Sequence, residues 1–413
     1  MVIRNSGVKG PFQFVQADSA SGFFDTFDAY MARKEDIWPF GGALYNFTSF
    51  TFTNPVREPW GPTSSEVTSQ SAYSSSAFAS DTDLFRVIEG VQYWKVPQSG
   101  NYTITAKGPA GGSHVSSDYH GSGGILRATF YLTAKTIIAM LVGSRPPITA
   151  HYTSYRWQGG AGGTFVAVVP DWGENTATAT YPLVVAGGGA GNRSSNSSHR
   201  TIASANMSPD GKDGNGSNGG DQGEGAFGGG HYYTGGQGAA GWNGVQSSHS
   251  DCRNLYTFGG NYPSNTSTCS LNRPGARGFN ATASTLIGGG GVGTGGIIQY
   301  SHANSGSNIY KGSGGYGGGG PGGWGGQGGA GGYSGGGNGN NSSTEYGGGG
   351  GSFIESSAIT TSVAAATIGT STGSWSSGSG AFSGHSILAT ASSLTNLGYN
   401  SGNGAVTIER GLI

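Results

Sequence analysis

The stretch "PGGWGGQGGAGGY" (residues 321–333) carries side chains only at Pro321, Trp324, Gln327, Ala330 and Tyr333, with glycine everywhere between. The step is three throughout. An α-helix repeats every ~3.6 residues and a strand every ~2, so neither lines these positions up, and so much glycine weakens both. Polyproline II geometry has three residues per turn and no internal hydrogen bonds, and it stacks the five side chains into one ridge. Adopted by glycine, that geometry is the backbone this stretch predicts.

Glycine supplies 84 of the 413 residues, about a fifth against a usual ~7%. The density peaks between Gly312 and Gly339, where 19 of 28 residues are glycine. Three states compete for such a region. A flexible linker carries Gly and Ser without large apolar groups, whereas Phe227, Trp242, Tyr316, Trp324, Tyr333 and Phe353 are embedded in these runs. Collagen requires an unbroken Gly-X-Y repeat rich in proline, and neither condition is met. Packed polyglycine helices remain, each offering its N–H and C=O groups to its neighbours. Any interior Cβ would block that approach. Ordering so much glycine costs entropy, so each segment needs many hydrogen bonds and an anchor at both ends.

The rest of the composition indicates an ordered, nearly neutral protein. Asp, Glu, Lys and Arg make only 10% of the chain, the net charge is -1, and there are 18 Phe, 20 Tyr and 8 Trp. Disordered chains show the opposite balance. No basic field exists to hold a phosphate backbone, which argues against a nucleic-acid partner. The most apolar window, "ILRATFYLTAKTIIAMLVG" (125–143), is interrupted by Arg127 and Lys135 and reads as two strands, so no membrane insertion is expected. The start, "MVIRNSGVKGPFQFVQ", has no apolar run of signal-peptide length, so assembly in the cytoplasm is expected. Cys252 and Cys269 provide no disulfide framework, and their pairing stays open.

Four regions follow from these patterns. Residues 1–45 form an N-terminal docking segment, with Phe23, Phe27, Tyr30 and Met31 at helical spacing beside Arg33, Lys34, Glu35 and Asp36. Residues 46–190 read as an antiparallel β-sandwich with lead-in strands. "LYNFTSFTFTN" is expected to set Tyr45, Phe47 and Ser49 on one face and Asn46, Thr48 and Phe50 on the other. Further strands are expected within 84–97, 100–108, 124–132, 135–143, 163–170 and 180–189. Residues 191–351 are the glycine-rich array. Residues 352–413 return to a β pattern, with "GAVTIERGLI" closing the sandwich beside the chain's start.

The stretch "GVQYWKVPQSGNYTITAKGPAGG" (90–112) resembles the glycine-rich extracellular region of the anaplastic lymphoma kinase and leukocyte tyrosine kinase receptors. The similarity rests on Gly90, Gln92, Trp94, Lys95, Val96, Pro97, Tyr102, Ile104, Gly108, Ala110, Gly111 and Gly112. It continues through "MLVGS", "GGAGGTFV", "LVVAGGGAG", "YGGGGPGGWGG", "GGGGGSF" and "NGAVTI", over roughly residues 85–410. The resemblance implies a β-sandwich of tumour-necrosis-factor-like type fused to an array of polyglycine II helices. Kinase, transmembrane helix, signal peptide and most of that family's cysteines are missing, so receptor signalling is not carried over. "LYNFTSFTFTNPVREPWGPTSSE" (44–66) is similar to the start of virion structural proteins of tailed phages, especially cyanophages. Some phage adhesins likewise expose variable loops on polyglycine arrays.

No phosphate-binding loop, serine-nucleophile elbow or H-E-x-x-H motif occurs, so no catalytic residue and no enzyme activity are expected. In "DGNGSNGGDQGE", Asp213, Asn215, Ser217, Asp221 and Glu224 follow the spacing of a calcium loop, with Gly219 one place late and Asn218 at the turn. A polar turn between glycine helices fits the same residues. Tyr232, Tyr233, Trp242, Tyr256 and Tyr262, with His249 nearby, are candidate binding aromatics, because aromatic faces stack on sugars or anchor protein interfaces. Trp242 equally suits packing between glycine layers. The expected function is a non-enzymatic virion protein of a tailed phage, a homo-oligomeric tail fibre, appendage or adhesin. It would join other virion proteins through residues 1–45 and meet a host cell-surface glycan or protein. A purely structural fibre, sheath or capsid-decoration subunit and a receptor-type ligand-binding module are the alternatives.

Overall fold

Runs of Val, Ile, Thr and aromatic residues bounded by Gly, Pro and Asn favour extended, half-buried backbone, and here they form strands. The computed structural model describes residues 44–112, 120–147, 158–170, 172, 181–192, 197–221, 238–242, 313–322, 326–339, 346–355, 360–365, 400 and 402–411. The expected helical pattern at 23–31 and both cysteines lie outside these residues. The described strands are β1 (Ser49–Thr53), β2 (Phe85–Ile88), β3 (Val91–Lys95), β4 (Gly100–Lys107), β5 (Gly124–Leu132), β6 (Ile137–Leu141), β7 (Thr164–Val169), β8 (Tyr181–Ala186), β9 (Phe353–Ile354), β10 (Thr360–Ala365) and β11 (Ala405–Arg410). They form two antiparallel sheets, ordered β1-β11-β4-β5-β10 and β2-β3-β6-β7-β8-β9. The chain is mostly β.

The 84–97 run divides into a hairpin. Glu89 (φ 49°) and Gly90 (φ 82°) turn it, and two successive positive φ values are what a type I′ turn requires. A Cβ at Gly90 would also overlap Gly61 and approach the Tyr316 hydroxyl. β11 lies between β1 and β4, with Phe52 opposite Val406 and Val406 opposite Ala106. The chain thus returns beside its early strands.

The alternation expected at 45–50 changes phase. Tyr45 and Phe47 are buried, Thr48 and Ser49 are both exposed, and Phe52 is then fully buried with Phe50 packed against the core. β1 begins only at Ser49, so two consecutive exposed residues exchange the faces. Tyr45 donates its hydroxyl to Lys95 O (2.8 Å) and Leu44 its N–H to Pro97 O (3.0 Å). The end of the 1–45 segment therefore belongs to the β body.

Among the described residues, three short helices interrupt the β pattern: α1 (Ser64–Thr68), α2 (Ser71–Ser74) and α3 (Ser197–Ala203). α1 starts at a capping box. Thr63 N–H donates to Glu66 Oε2 (2.7 Å) and Glu66 N–H to Thr63 Oγ1 (3.3 Å). The Thr63 N–H and hydroxyl, both donating to Glu66 Oε2, hold the Glu66 carboxyl below its usual range. Among the described residues, no helix is long and apolar enough to cross a membrane.

Both sheets contribute to one apolar core, which includes Phe52, Tyr102, Ile104 and Leu126 from the first and Trp94, Ile138, Met140 and Phe165 from the second. Phe47 lies 4.8 Å from Trp94 and Phe50 4.9 Å from Phe78, between ring centroids.

Several strands run directly into glycine segments: β4 into 108–112 and β8 into 187–191, while 121–123 leads into β5, 158–163 into β7 and 347–352 into β9. Hydrogen bonds between these segments advance in steps of three. Gly328 and Gly331 donate to Gln158 and Ala161 (2.8 and 2.9 Å), whereas Ala330 and Tyr333 donate to Gly348 and Gly351 (3.0 and 2.8 Å). The segment 158–163 matches Gly160 to Gly320 and Gly163 to Gly317 (2.9 and 2.8 Å). Gly347 and Gly350 donate to Gly191 and Gly188 (3.0 and 3.2 Å). One segment thus bonds to different neighbours on successive faces. In the opening stretch, Pro321, Gln327 and Ala330 are buried and Tyr333 half-buried, so this ridge faces inward where it is described.

Glycine is required at these crossings. A Cβ at Gly331 would overlap the Gly317 carbonyl oxygen, and one at Gly350 the Gly331 carbonyl oxygen, whereas at Gly402 the nearest atom is Asn400 Oδ1 at 3.6 Å. Gly331→Ala or Gly350→Ala should cost about 3 kcal/mol or more, the upper range of overpacking. Gly402→Ala should stay within about 1 kcal/mol. Urea unfolding midpoints of the three variants check the contrast.

Candidate functional site

The outward face of the five-stranded sheet is polar. Its cross-strand rows include Ser49, Glu409, Thr103, Thr129 and Thr51, Thr407, Thr105, Arg127. Thr51 and Thr407 share a hydroxyl hydrogen bond (2.9 Å), as do Thr103 and Thr129 (2.9 Å). Arg127 reaches across β4 to Glu409 (2.9 Å); half-exposed pairs of this kind contribute about 1 kcal/mol at most. Beside them Tyr131, 63% exposed, is the most exposed large apolar side chain among the described residues. On the other sheet, Arg86 and Lys95 flank the Trp172 ring at 4.8 and 4.9 Å from its centroid.

A second feature is the corner where the segments after β1 and β6 meet the turn before β11. Asn403 Nδ2 donates to Asn54 O (2.8 Å) and Val56 O (2.6 Å), and Asn403 Oδ1 accepts the Arg145 N–H (2.9 Å). Asn54 Nδ2 donates to Val142 O (3.0 Å). This brace holds two arginines: Arg57 Nη2 donates to Pro146 O (3.4 Å) and Arg145 Nη2 to Gly111 O (3.2 Å). Burial lowers the proton affinity of both, bringing Arg145 to about 10 with a further push from the Arg57 charge.

The proposed calcium residues engage the backbone. Asp213 Oδ1 accepts the Gly219 N–H (2.9 Å) and Ser217 Oγ accepts the Asn338 N–H (3.0 Å). Asn215 is half-buried, Asp221 is exposed, and Glu224 lies outside the described residues. No group of three or more His, Cys, Asp or Glu side chains among the described residues is placed to hold a metal ion. The loop as described is a turn closed by Asp213.

Of the candidate aromatics, Tyr232, Tyr233, Tyr256 and Tyr262, with His249, lie outside the described residues. Trp242 takes the packed alternative: it is only 3% exposed, lies 6.0 Å from the Phe165 ring and donates its backbone N–H to Tyr333 O (2.7 Å). It fills the space between a glycine segment and β7, so it offers no face to a ligand. Tyr316 has a comparable role. Its hydroxyl donates to Glu89 O (2.9 Å), and its N–H reaches Ser144 Oγ (2.9 Å). Complete burial raises its pKa, with Tyr93 and Glu89 adding to the effect.

Lys212 links α3 to the glycine body. Its ammonium donates to Thr201 O (2.7 Å) and Ser204 O (2.9 Å), capping the helix C-terminus, and its carbonyl accepts the Gly337 N–H (2.9 Å). Neither arginine at the Asn403 corner, nor Lys212, is marked by a local motif. The partners of Asn403, Arg57 and Arg145 come from distant segments, so no spacing in the sequence signals them.

The sequence matches no family model and no curated protein.

Burial brings the Lys212 pKa from 10.5 down to about 8, so keeping its charge costs the folded state stability. That cost is present in full below about pH 8. Above it the folded lysine releases its proton while the unfolded one retains it, and wild type should gain stability with rising pH, by at most about 1.4 kcal/mol per pH unit. Denaturation at about pH 7.5 and 9.5 should show this gain in wild type relative to Lys212→Met. An unchanged difference would refute the coupling. Separately, Trp242→Ala should destabilise by about 3–5 kcal/mol as a core truncation, checked by thermal unfolding.

Proposed function

We propose that this chain is a non-enzymatic virion structural protein of a tailed phage, a tail fibre, appendage or adhesin that presents a rigid glycine-rich module for host attachment. The carrying observation is the three-residue advance of hydrogen bonds between glycine segments that are continuous with the strands. We infer from it that the glycine body is an array of polyglycine II helices and that the two sheets form a tumour-necrosis-factor-like sandwich anchoring it. Such a body carries few side chains inside and resists shear chiefly through backbone bonds. That suits a part which must transmit contact from a cell surface to a particle. The similarity of residues 44–66 to phage virion proteins supports the same reading.

In this reading the host-facing surface is carried by residues 222–237 and 243–312. They bear Tyr232, Tyr233, Tyr256 and Tyr262, suited to stacking on a glycan or anchoring in a protein. Segments whose ends are fixed by a rigid scaffold are the usual carriers of recognition. Residues 1–43 join other virion proteins, and the subunit assembles in the host cytoplasm as a homo-oligomer.

Electron microscopy of native particles, with density matched to this chain, tests the proposal. The expected result is the chain on a tail or capsid with the glycine body outward. Density for no such subunit, or a chain tethered to a cell surface, would overturn it. Particles carrying a deletion of 243–312 should assemble but adsorb poorly to host cells. Unchanged adsorption would indicate a structural subunit without receptor affinity.

A further inference from the structure

We propose that Asn218 is a self-modification site, converted without an enzyme to an aspartyl or isoaspartyl residue at a rate set by the Asp213 side chain. The inference is independent of the virion reading.

An asparagine followed by glycine modifies itself when the next backbone nitrogen reaches its side-chain carbonyl carbon, because glycine has no Cβ to hinder the approach. Among the described residues Asn–Gly occurs four times, at 215, 218, 338 and 403. In each pair the glycine N–H, the attacking group, is already donated. Gly216 gives it to Asn338 O (2.9 Å), Gly339 to Gln327 O (2.8 Å) and Gly404 to Gly143 O (2.7 Å). These three acceptors are backbone carbonyls of other segments, so releasing the nitrogen means opening the glycine body or the end of a sheet. Two of the side-chain amides are tied as well, Asn338 Nδ2 to Gly339 O (3.1 Å) and Asn403 Nδ2 to Asn54 O (2.8 Å).

Gly219 differs. Its N–H is donated to a side-chain oxygen, Asp213 Oδ1 (2.9 Å), and both Asp213 and Asn218 are exposed. Rotation of the Asp213 side chain frees this nitrogen while the backbone bonds of the turn stay in place, Gly214 N–H on Ser217 O (2.9 Å) and Gly220 N–H on Gly335 O (2.8 Å). The freed nitrogen gives its proton to water or hydroxide and attacks Asn218 Cγ. The new N–Cγ bond closes a five-membered succinimide, the Cγ–Nδ2 bond breaks, and ammonia leaves. Water then opens the ring at either carbonyl, giving the aspartyl or the isoaspartyl product. Nothing is oxidised or reduced. Either product sets a second carboxylate near Asp213, and like charges repel. The isoaspartyl form also adds one carbon to the backbone between Ser217, whose Oγ accepts the Asn338 N–H (3.0 Å), and Gly220. The turn thereby changes the fit between its two attachments to the glycine body.

The test is incubation of the folded full chain in mildly alkaline buffer. Peptide mass spectrometry reads the amide-to-acid mass gain at each Asn–Gly pair, and enzymatic methylation of isoaspartate reads the rearranged product. The same chain unfolded in urea supplies the unguarded rate. Folded wild type should be modified at 218 faster than at 215, 338 and 403, yet more slowly than in urea. Asp213→Ala should raise the rate at 218 by about tenfold, the effect of losing a hydrogen bond to a charged acceptor, and leave the other three sites unchanged. Asp213→Asn keeps an oxygen acceptor and should give an intermediate rate, which covers the case in which alanine loosens the whole turn. Equal rates at 218 in wild type and both variants overturn the proposal. So does a folded wild type in which 218 is no faster than the other three sites, or a rise at all four sites in both variants.

Discussion

Everything in this molecule depends on backbone N–H groups meeting carbonyls of another segment at a separation that admits only hydrogen on the α-carbon. Such bonds are ordinary in strength, about 1 kcal/mol net each. Their arrangement is unusual. In a sheet a strand bonds within one plane, to neighbours on two sides. Here the run 328–333 sends bonds to 158–161 and, from intervening residues, to 348–351. A three-residue step allows this, since the donors that meet one neighbour recur at every third residue, and glycine permits the approach. The glycine body thus uses peptide groups for cohesion where a conventional core uses side chains.

Such a body cannot order itself cheaply. Glycine loses more backbone freedom on folding than any other residue, and its interior buries little apolar area. The sheets offset this by holding the ends. Because β4 and β8 pass straight into glycine runs, and other runs pass into β5, β7 and β9, strand pairing already sets the spacing at which the glycine segments meet. A few large side chains fasten the two parts laterally. Tyr316 reaches the β2–β3 turn, Trp242 packs on Phe165, and Tyr333 stacks on Phe353 at 4.4 Å.

Much of the β body was legible in the sequence, because period-two alternation and turn residues are local signals. Each of the seven extended runs expected between 44 and 190 contains at least one strand. The period of three at 321–333 likewise anticipated the step of the hydrogen bonds. Features set by distant partners were not legible. The phase change at Thr48 and Ser49 depends on where β1 meets β11. The depth of Trp242 depends on β7. α1 is different, since Thr63 and Glu66 announced it and the surrounding serines masked it within a loop-like composition. The Asn403 brace, which gathers Asn54, Val56 and Arg145, has no counterpart in any local pattern.

The place of β11 has a temporal meaning. It is the second strand of the five-stranded sheet and pairs on both sides, with residues 49–53 and with residues 102–107. Until Ala405–Arg410 has left the ribosome, β1 has no partner in its sheet and β4 shows one open edge, for the whole time in which the glycine body is made. Contacts this distant in sequence make folding slow and leave strand edges available to wrong partners. The chain therefore carries a late closing step, in which one six-residue strand joins its earliest and latest parts and converts an open sheet into a finished one.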